Sequence, residues 1–377
     1  MNPEVSVIIP AMNEEETIGI CIDKIVQVFR DENISGEIVI ADSSDDKTPE
    51  IARNKGARVV HPDKKGYGNA YQYGFAHANG KILVIGDADN TYDFSIIPEL
   101  IKPIQQGRAD MVIGSRLKGT ILPDSMPALH QYIGNPLLTF LLNKSFGTRF
   151  SDCHSGMRAI TREAYDHLSL HTGGMEYASE MMIEAGRKKL KVAEIPITYY
   201  PRNSPSKLHS FADGWRHIRF IMLMRPLPFL MGPGMLFTLL GLFLMAVLII
   251  SRPVEYHGLH SFILGGIFLT GGVQLITMGV VLKAYAVTHG FDVCGLWFSR
   301  ILTYQRLEIV LFSGIGILLL GFISGIYIMW EWFSQSFGAL TQVTSAVFAL
   351  CGVIIGLQLI FTAILSSMML LRSDRGE

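Results

Sequence analysis

Charge of either sign is scarce in the second half of this chain. The 377 residues carry 32 Lys and Arg against 33 Asp and Glu, a formal net charge of −1, and few of these residues follow Arg225. This near-neutral balance gives no support for nucleic acid as a partner. The four cysteines are scattered, and no two of them form a C-x-x-C motif. This argues against a zinc site or a disulfide framework and fits a reducing compartment. We expect no signal peptide, because the first apolar run, residues 5–11, is too short.

Four long stretches after Arg225 contain almost no Asp, Glu, Lys or Arg. They predict four transmembrane helices at about 227–251, 261–283, 308–331 and 344–371, each of which reaches the ~20 apolar residues needed to cross hydrocarbon. Helices buried in a large soluble core are the alternative, and four such stretches in succession argue against it. We therefore predict a soluble domain at 1–207, an interfacial segment at 208–226 and a transmembrane domain at 227–377.

The cations that flank the predicted spans indicate their orientation. Lys283, Arg300 and Arg306 lie between the second and third spans, and two arginines follow the fourth, whereas the opposite side carries only Arg252. Because loops rich in Lys and Arg stay in the cytoplasm, we predict a cytoplasmic soluble domain and a cytoplasmic C-terminus.

The segment 210–225 is basic and amphipathic. Apolar residues such as Trp215 and Ile218 recur at helical spacing, while Arg216, His217 and Arg219 add cationic character. A helix of this kind before a span is expected to lie in the headgroup region. An ordinary surface helix of the soluble domain is the alternative.

Short β-branched runs alternate with amphipathic segments of helical length in the first 200 residues. The predicted strands lie at 5–9, 37–41, 58–60, 82–86, 111–114 and 192–199, and the predicted helices at 15–29, 49–55, 68–78, 96–106 and 175–188. This alternation predicts an α/β fold with a mostly parallel sheet that helices cover on both faces. Ligands bind such sheets at the carboxyl ends of the strands.

Polar residues follow four of the predicted strands, where a ligand would bind: Pro10, Asn13 and Glu14, then Asp42, then Asp87 and Asp89, and last Arg116. Two close carboxylates repel each other, so Asp87 and Asp89 predict a hard divalent cation, Mg²⁺ or Mn²⁺, which usually arrives with substrate phosphates. This edge of the sheet is thus predicted to bind a cation and an anionic ligand. We interpret the glycines of Gly66-Tyr67-Gly68 as turn geometry, because they match no phosphate-loop motif.

In their order along the chain, seven segments resemble those of glycosyltransferase family 2: VIIPAMNEEETI, ADSSDDKT, KGYGNA, IGDADNTYD, VIGSR, SDCHSGMRAI and EIPITYYPRNSPSKL. The resemblance covers about residues 5–225 and is greatest to the polyprenyl-phosphate glycosyltransferases, which include the dolichol-phosphate mannose synthases. It implies a Rossmann-like GT-A fold, with a four-helix transmembrane domain that only some members share.

The resemblance also implies roles for individual residues. Those implied for the nucleotide are Pro10, Asn13, Glu14, Asp42 and Asp87, and Asp89, with Asp87, would hold the metal ion. Those implied to bind phosphates are Arg116, Arg158, Arg202, Ser206 and Lys207. Asp89, Arg116 and Asp152 are the implied catalytic residues, and Asp152 or His154 would orient the acceptor.

We therefore expect an inverting glycosyltransferase that transfers a sugar from a nucleotide diphosphate sugar, of the GDP-mannose or UDP-glucose type, to a dolichyl or undecaprenyl phosphate. Three departures concern the donor: Ala41 precedes Asp42 where many relatives have a second acid, Thr91 replaces a frequent glutamine, and the glycine before Ser206 is missing. The last two weaken a prediction of mannose. The sequence leaves the oligomeric state open.

Two alternatives come from other functional classes. A processive polysaccharide synthase also joins this catalytic fold to membrane helices, but the Q-x-x-R-W motif of those enzymes is missing. A non-catalytic scaffold or a transporter of lipid-linked sugars is the second. A scaffold has no need of Asp87, Asp89, Arg116 and Arg202 together, and a transporter is expected to carry ionisable residues within its spans.

Overall fold

The computed structural model describes residues 3–202, 210–250, 256–291, 298, 300, 303–337 and 342–373. The chain forms two compact units, Met1–Ile221 and Met222–Glu377. The first is an α/β unit and the second consists of long apolar helices.

A seven-stranded sheet forms the centre of the first unit. Its strands are β1 (Val5–Ala11), β2 (Gly36–Asp42), β3 (Arg58–Val60), β4 (Ile82–Ile85), β5 (Met111–Ile121), β6 (Arg158–Thr161) and β7 (Val192–Tyr199), in the order β3-β2-β1-β4-β6-β5-β7. Strand β6 runs antiparallel to β4 and β5, and the other pairs are parallel. The predicted class, a mostly parallel α/β sheet with helices, is confirmed.

Helices pack against this sheet and connect its strands. They are α1 (Ile18–Asp31), α2 (Thr48–Asn54), α3 (Tyr67–His77), α4 (Ile97–Gln105), α5 (Asn135–Phe146), α6 (Arg162–Asp166) and α7 (Tyr177–Arg187). A 3₁₀ turn at Phe94–Ile96 precedes α4, and a π-helical turn at His130–Gly134 precedes α5. The central strands β1 and β4 are largely apolar and buried on both faces, as expected for parallel strands with helices on either side.

Three elements of the first unit were not predicted: β6, α5 and the short helix α6. Strand β6 has only four residues and begins with the charged Arg158, so no periodic apolar pattern marks it. Helix α5 mixes apolar and polar residues without a clear helical period, so no amphipathic pattern marks it. Strand β5 also runs seven residues beyond its predicted end at Gly114, because it continues beside β7 after an irregularity between Ser115 and Thr120.

The chain continues into α8 (Ser210–Met224), and the described residues of the second unit form four helices that are long and apolar enough to cross a membrane. These are α9 (Gly232–Ile250), preceded by a π-helical turn at Leu227–Met231, α10 (Tyr256–Thr288), α11 (Tyr304–Ser334) and α12 (Val343–Ser373). Helices α10 and α11 extend beyond both ends of the predicted spans, and α11 includes Arg306, because the predicted ends were set by charge and a helix need not end there.

The membrane unit is built from two equivalent helix pairs, α9 with α10 and α11 with α12. In both pairs, glycines allow the two helices to approach each other closely. A Cβ added at Gly234 would lie 2.9 Å from the carbonyl oxygen of Gly272, and one at Gly314 would lie 3.0 Å from that of Gly356. Each of these contacts has a second glycine two helical turns away, at Gly241 and Gly321.

The sequences of the two pairs correspond at these contacts. LLG at 239–241 matches LLG at 319–321, and GVQLI at 272–276 matches GLQLI at 356–360. The packing partners correspond as well, because Gly234 approaches Ile276 while Gly314 approaches Ile360. We interpret the membrane unit as an internal repeat, which the uniform apolarity of the sequence conceals.

Candidate active site

The loops after β1 and β2 form one polar surface around Asp42. The Oδ1 atom of Asp42 accepts a hydrogen bond from Ser44 Oγ at 2.6 Å, whereas the buried Oδ2 atom has no hydrogen-bond partner among the described residues. Asn13 lies in the left-handed region, at φ 55°, and its Oδ1 atom accepts from the backbone N–H of Asp45 at 2.9 Å. Pro10 pairs with Ala41 across the two strands. A buried carboxylate oxygen with unused acceptor capacity suits a ligand that carries N–H or O–H donors.

Arg202 connects this surface with the acids that follow β4. Its Nη2 atom donates to Glu14 Oε1 at 2.7 Å, and its Nε atom lies 3.4 Å from Asp89 Oδ2. Asp89 Oδ1 accepts from the hydroxyl of Thr91 at 2.6 Å, so the threonine orients the carboxylate and leaves Oδ2 toward the arginine. The predicted residues Glu14, Asp89 and Arg202 thus meet although they are far apart in the sequence.

Asp87 is partly buried and has an unusual pKa. Burial raises this pKa to about 6, and the negative charge of Asp89 adds to the shift. Tyr67 donates a hydrogen bond to Asp87 Oδ1 at 2.9 Å. On the other side, Gly156 comes so close that an added Cβ would lie 2.5 Å from Asp87 Oδ2. Tyr67 and Gly156 therefore fix the carboxylate, and sequence reasoning missed both because each lies in a segment that resembles a simple turn.

The carboxylates of Asp87 and Asp89 fit a divalent cation whose remaining ligands are phosphate oxygens. Among the described residues, no group of three His, Cys, Asp or Glu side chains could enclose a metal ion without help. An ion held by one or two carboxylates together with substrate phosphates is typical of Mg²⁺. The raised pKa of Asp87 also favours a cation at this place, because a positive charge beside Asp87 and Asp89 would stabilise the ionised form of both carboxylates.

A buried ion pair lies at the carboxyl end of the first part of β5. Arg116 donates from Nε to Asp152 Oδ2 at 2.8 Å and from Nη2 to Asp152 Oδ1 at 2.9 Å, and its guanidinium lies 5.3 Å from the ring centre of Tyr199. Burial alone would raise the pKa of Asp152, but the charge and hydrogen bonds of Arg116 outweigh it and hold the pKa at about 2. Asp152 is therefore a poor proton acceptor at neutral pH and a strong orienting group for Arg116.

The predicted phosphate contact of Arg158 is replaced by a structural role. Its side chain is 1% exposed and donates to the backbone carbonyl oxygens of Ser155, Ala178 and Cys153 at 2.8–3.0 Å. Its side chain therefore ties the loop that carries Asp152 to the start of α7. Ser206 and Lys207, the other predicted phosphate ligands, lie outside the described residues.

His154 is linked to α8 by a hydroxyl bridge. Its Nε2 atom lies 3.0 Å from Ser179 Oγ, which also lies 2.8 Å from Nδ1 of His217. Burial lowers the pKa of His154 well below its usual range, and His217 lowers it further. His217 is 8% exposed, so the prediction that it adds to the cationic surface of α8 is wrong, whereas Arg216 and Arg219 are exposed as predicted.

Helix α5 supports the Asp152 loop with one side and exposes apolar residues on the other. Thr139 Oγ1 accepts from the backbone N–H of Cys153 at 3.4 Å, and Asn143 Nδ2 donates to the carbonyl oxygen of Phe150 at 2.7 Å. The opposite side of α5 and its preceding turn exposes Leu129, Tyr132, Ile133, Leu137 and Phe140, each between 47% and 72%. A helix of a water-facing domain normally carries polar residues there.

Two family models match this chain. "Glycosyl transferase family 2" covers residues 6–169, and "Glycosyltransferase family 2 C-terminal transmembrane region" covers residues 280–370. The low-salt glycan biosynthesis hexosyltransferase Agl6 of Haloferax volcanii is 41% identical over 369 residues, which cover 96% of this chain and 88% of the relative. The chain belongs to glycosyltransferase family 2. It is accordingly a glycosyltransferase and, with its apolar helices, a membrane protein.

More distant relatives add detail without identifying the substrates. A dolichyl-phosphate hexose transferase of Haloferax volcanii is 32% identical over 212 residues, covering 56% of this chain and 89% of the relative. Mannosyl-3-phosphoglycerate synthase from Rubrobacter xylanophilus is 20% identical with a TM-score of 0.50, covering 60% of this chain and 74% of that structure. At this identity the structural similarity supports the fold alone.

Proposed function

We propose that this enzyme transfers a sugar, with inversion, from a nucleotide diphosphate sugar to a polyprenyl phosphate at the cytoplasmic face of a membrane. The relatives include a protein named for dolichyl phosphate, and the chain spans 88% of the hexosyltransferase that it resembles over nearly its whole length. GDP-mannose and UDP-glucose represent the donor types, and dolichyl and undecaprenyl phosphate the acceptor types, that this proposal covers.

The donor would occupy the acidic side of the site. Asn13 and Asp42 would contact the base and ribose. The Oδ2 atom of Asp42 lies 3.7 Å from His61 Nδ1 and has no hydrogen-bond partner among the described residues, so it can accept from a hydroxyl or an N–H group. Asp87 and Asp89 would hold a Mg²⁺ or Mn²⁺ ion, which would neutralise charge on the leaving diphosphate. Arg202 would exchange its contact with Asp89 for a diphosphate oxygen, because the guanidinium already lies beside that carboxylate.

The acceptor would meet the Arg116 side of the site. A phosphate monoester has a second pKa of about 6 and is largely dianionic at neutral pH, so its oxygen needs little help from a base. Arg116 would hold this phosphate through its remaining N–H groups while Asp152 keeps the guanidinium in place. The low pKa of Asp152 agrees with an orienting role and argues against a general base.

The exposed apolar face of α5 is the observation that carries the lipid part of the proposal. Thr139 on this helix holds the segment that carries Asp152, while Leu137 and Phe140 on the helix, and three large apolar residues just before it, are exposed. A long isoprenoid chain stays in the bilayer, so an enzyme that uses it must bring its acceptor site to the headgroups. An apolar helix face beside that site is suited to this position.

The test is transfer to lipid by membranes that contain the full chain. Membranes are incubated with radiolabelled nucleotide sugars, one at a time, and with dolichyl or undecaprenyl phosphate. We expect one donor to label the lipid fraction, and we expect the Asp89→Asn variant in parallel membranes to give no labelled lipid. Transfer only to a water-soluble acceptor, or to a growing polysaccharide, would overturn the proposal.

A further inference from the structure

The internal repeat places two glutamines at equivalent positions, Gln274 in α10 and Gln358 in α12. Each follows a closely packed glycine by two residues, Gly272 or Gly356. Gln358 lies against another helix, where its Nε2 atom donates to the carbonyl oxygen of Thr270 at 3.4 Å. Gln274 is exposed, and its side chain has no hydrogen-bond partner in the part of the chain that the structure describes.

The position of Gln274 makes this exposure unfavourable in a bilayer. The residue lies near the middle of the apolar span Gly258–Thr288, too far from either end for its short side chain to reach the headgroups. An amide without a hydrogen-bond partner is costly in hydrocarbon, and glutamines in membrane helices typically bond to a neighbouring helix. Gln274 therefore needs a neighbouring helix, and the described part of the chain does not provide one.

The residues around Gln274 form an exposed stripe along one side of α10, which we call the Gln274 face: Leu264, Ile267, Gly271, Gln274 and Met278. Gly271 differs from the glycines that pack within the repeat, because a Cβ added there would meet nothing within 4 Å. Packing within the chain thus does not require glycine at this position. A glycine beside an exposed glutamine allows a second helix to approach closely enough for the amide to bond.

We propose that the Gln274 face binds the same face of a second copy of this chain. A primary amide is both a donor and an acceptor, so two Gln274 side chains related by a two-fold axis satisfy each other. An isologous contact of this kind needs only one self-complementary surface. The equivalent glutamine shows that an amide at this position is used between helices, since Gln358 in the second helix pair bonds to the backbone of α10 in the first pair. This proposal depends on the membrane unit alone and is independent of the proposed substrates.

Disulfide cross-linking of the full chain in membranes tests the contact. Cys294→Ser provides the background, because Cys21, Cys153 and Cys351 are buried. In this background, Met278→Cys adds a thiol one helical turn from Gln274. Phe312→Cys is the matched control, since Phe312 is 69% exposed in α11 and lies two residues before Gly314, the glycine that packs on Gly356. We expect a mild oxidant to convert most of the Met278→Cys protein, and little of the control, to a dimer.

Adding Gln274→Leu to Met278→Cys should lower the dimer yield at least fivefold, while Gln274→Asn, which keeps the amide, should largely preserve it. Light scattering in mild detergent should give a dimer mass for the native chain and a lower mass for Gln274→Leu. Equal cross-linking at Phe312, a monomer mass for the native chain, or cross-linking of Met278→Cys to a different protein would each overturn the proposal. Gln274→Leu replaces the amide by an apolar side chain that is compatible with lipid, so this variant should still accumulate in the membrane.

Discussion

Arg202 donates a hydrogen bond of 2.7 Å to Glu14, and this pair joins the segment that follows β7 to the loop after β1. The same guanidinium lies 3.4 Å from Asp89, in the loop after β4. Arg202 is thus held by carboxylates from two loops, at the place where the proposed donor diphosphate would carry its charge. Competition between phosphate and these carboxylates would move the arginine only a short distance.

A double-mutant cycle should show that Glu14 and Arg202 act together on the donor. We expect Glu14→Gln and Arg202→Lys each to raise the donor KM roughly tenfold, about 1.4 kcal/mol, because each removes a charge-assisted hydrogen bond. The double variant should be little worse than either single one. Glu15→Gln is the matched control, since Glu15 is an exposed neighbour in the same loop. Fully additive effects would mean that Glu14 does not hold Arg202.

Asp89→Asn should abolish transfer while the protein stays folded and in the membrane. Without the carboxylate charge the proposed divalent ion loses a ligand, and we expect the rate to fall at least about 100-fold, as for loss of one strong electrostatic contact. Chelation of divalent ions should have the same effect on the native enzyme. Asp93→Asn is the control, because Asp93 is partly exposed and caps the turn before α4 through Ser95. Full activity in excess chelator would show that the acids act without a metal ion.

The acidic loops were predictable because a parallel sheet brings the ends of its strands to one edge. Glu14 and Asp89 each follow a buried apolar strand, and that pattern is visible in the sequence. The hydrogen bond from Tyr67 to Asp87 was not predictable, because a tyrosine between two glycines has no periodicity to reveal its direction. The structural role of Arg158 was also hidden, since its partners are backbone carbonyl groups.

The membrane spans were predictable from apolar length, whereas their packing was not. Hydropathy does not distinguish Gly234 from Gly271. Gly234 nevertheless packs against Gly272, whereas a Cβ added at Gly271 would meet nothing within 4 Å. Likewise, His217 and Arg216 are neighbours on α8, yet His217 is buried and Arg216 is exposed. Only three-dimensional contacts distinguish such residues, because the sequence records polarity and spacing without recording neighbours.

Breaking the Arg116–Asp152 pair should destabilise the α/β unit strongly. Asp152→Asn leaves a buried guanidinium without its counter-ion, and we expect a loss of roughly 3–5 kcal/mol in the free energy of unfolding. Lys118→Gln is the matched control, because Lys118 is paired with Glu194 at 2.6 Å while remaining 53% exposed. Such a surface pair contributes at most about 1 kcal/mol. Thermal unfolding in detergent compares the two variants, and equal losses would contradict the buried pair.

His154 should make the protein less stable as the pH falls below about 6.5, the usual pKa of histidine. The folded state holds this side chain neutral, because its pKa is lowered by burial and by His217, while the unfolded chain takes up a proton. Acid therefore favours the unfolded state in this window. His154→Gln cannot titrate, so its unfolding temperature should fall less between pH 7.5 and 5.5 than that of the native chain. Parallel curves for both proteins would show that His154 does not contribute.

Helix α5 provides the sharpest test of the lipid acceptor. Leu137 and Phe140 are 47% and 57% exposed, and bringing such side chains into an apolar environment gains about 1.5–3 kcal/mol each. Replacing both by serine should leave the protein in the membrane, because the four spans are unchanged. We expect the KM for a long-chain polyprenyl phosphate to rise roughly tenfold, about 1.4 kcal/mol, since only part of this gain would be realised at the bilayer surface. The donor KM should stay constant because Asp42, Asp87 and Asp89 are untouched.

A short, water-soluble prenyl phosphate separates lipid positioning from a general defect. It reaches the site without the bilayer, so its KM should be the same for the native chain and for Leu137→Ser/Phe140→Ser. The matched control is Ile20→Ser/Val26→Ser, which removes two exposed apolar residues from α1 of the same unit and should alter neither acceptor. If the α5 variant loses both acceptors equally, α5 serves only to support the Asp152 loop. The exposed apolar face would then give no reason to place the acceptor phosphate at a membrane.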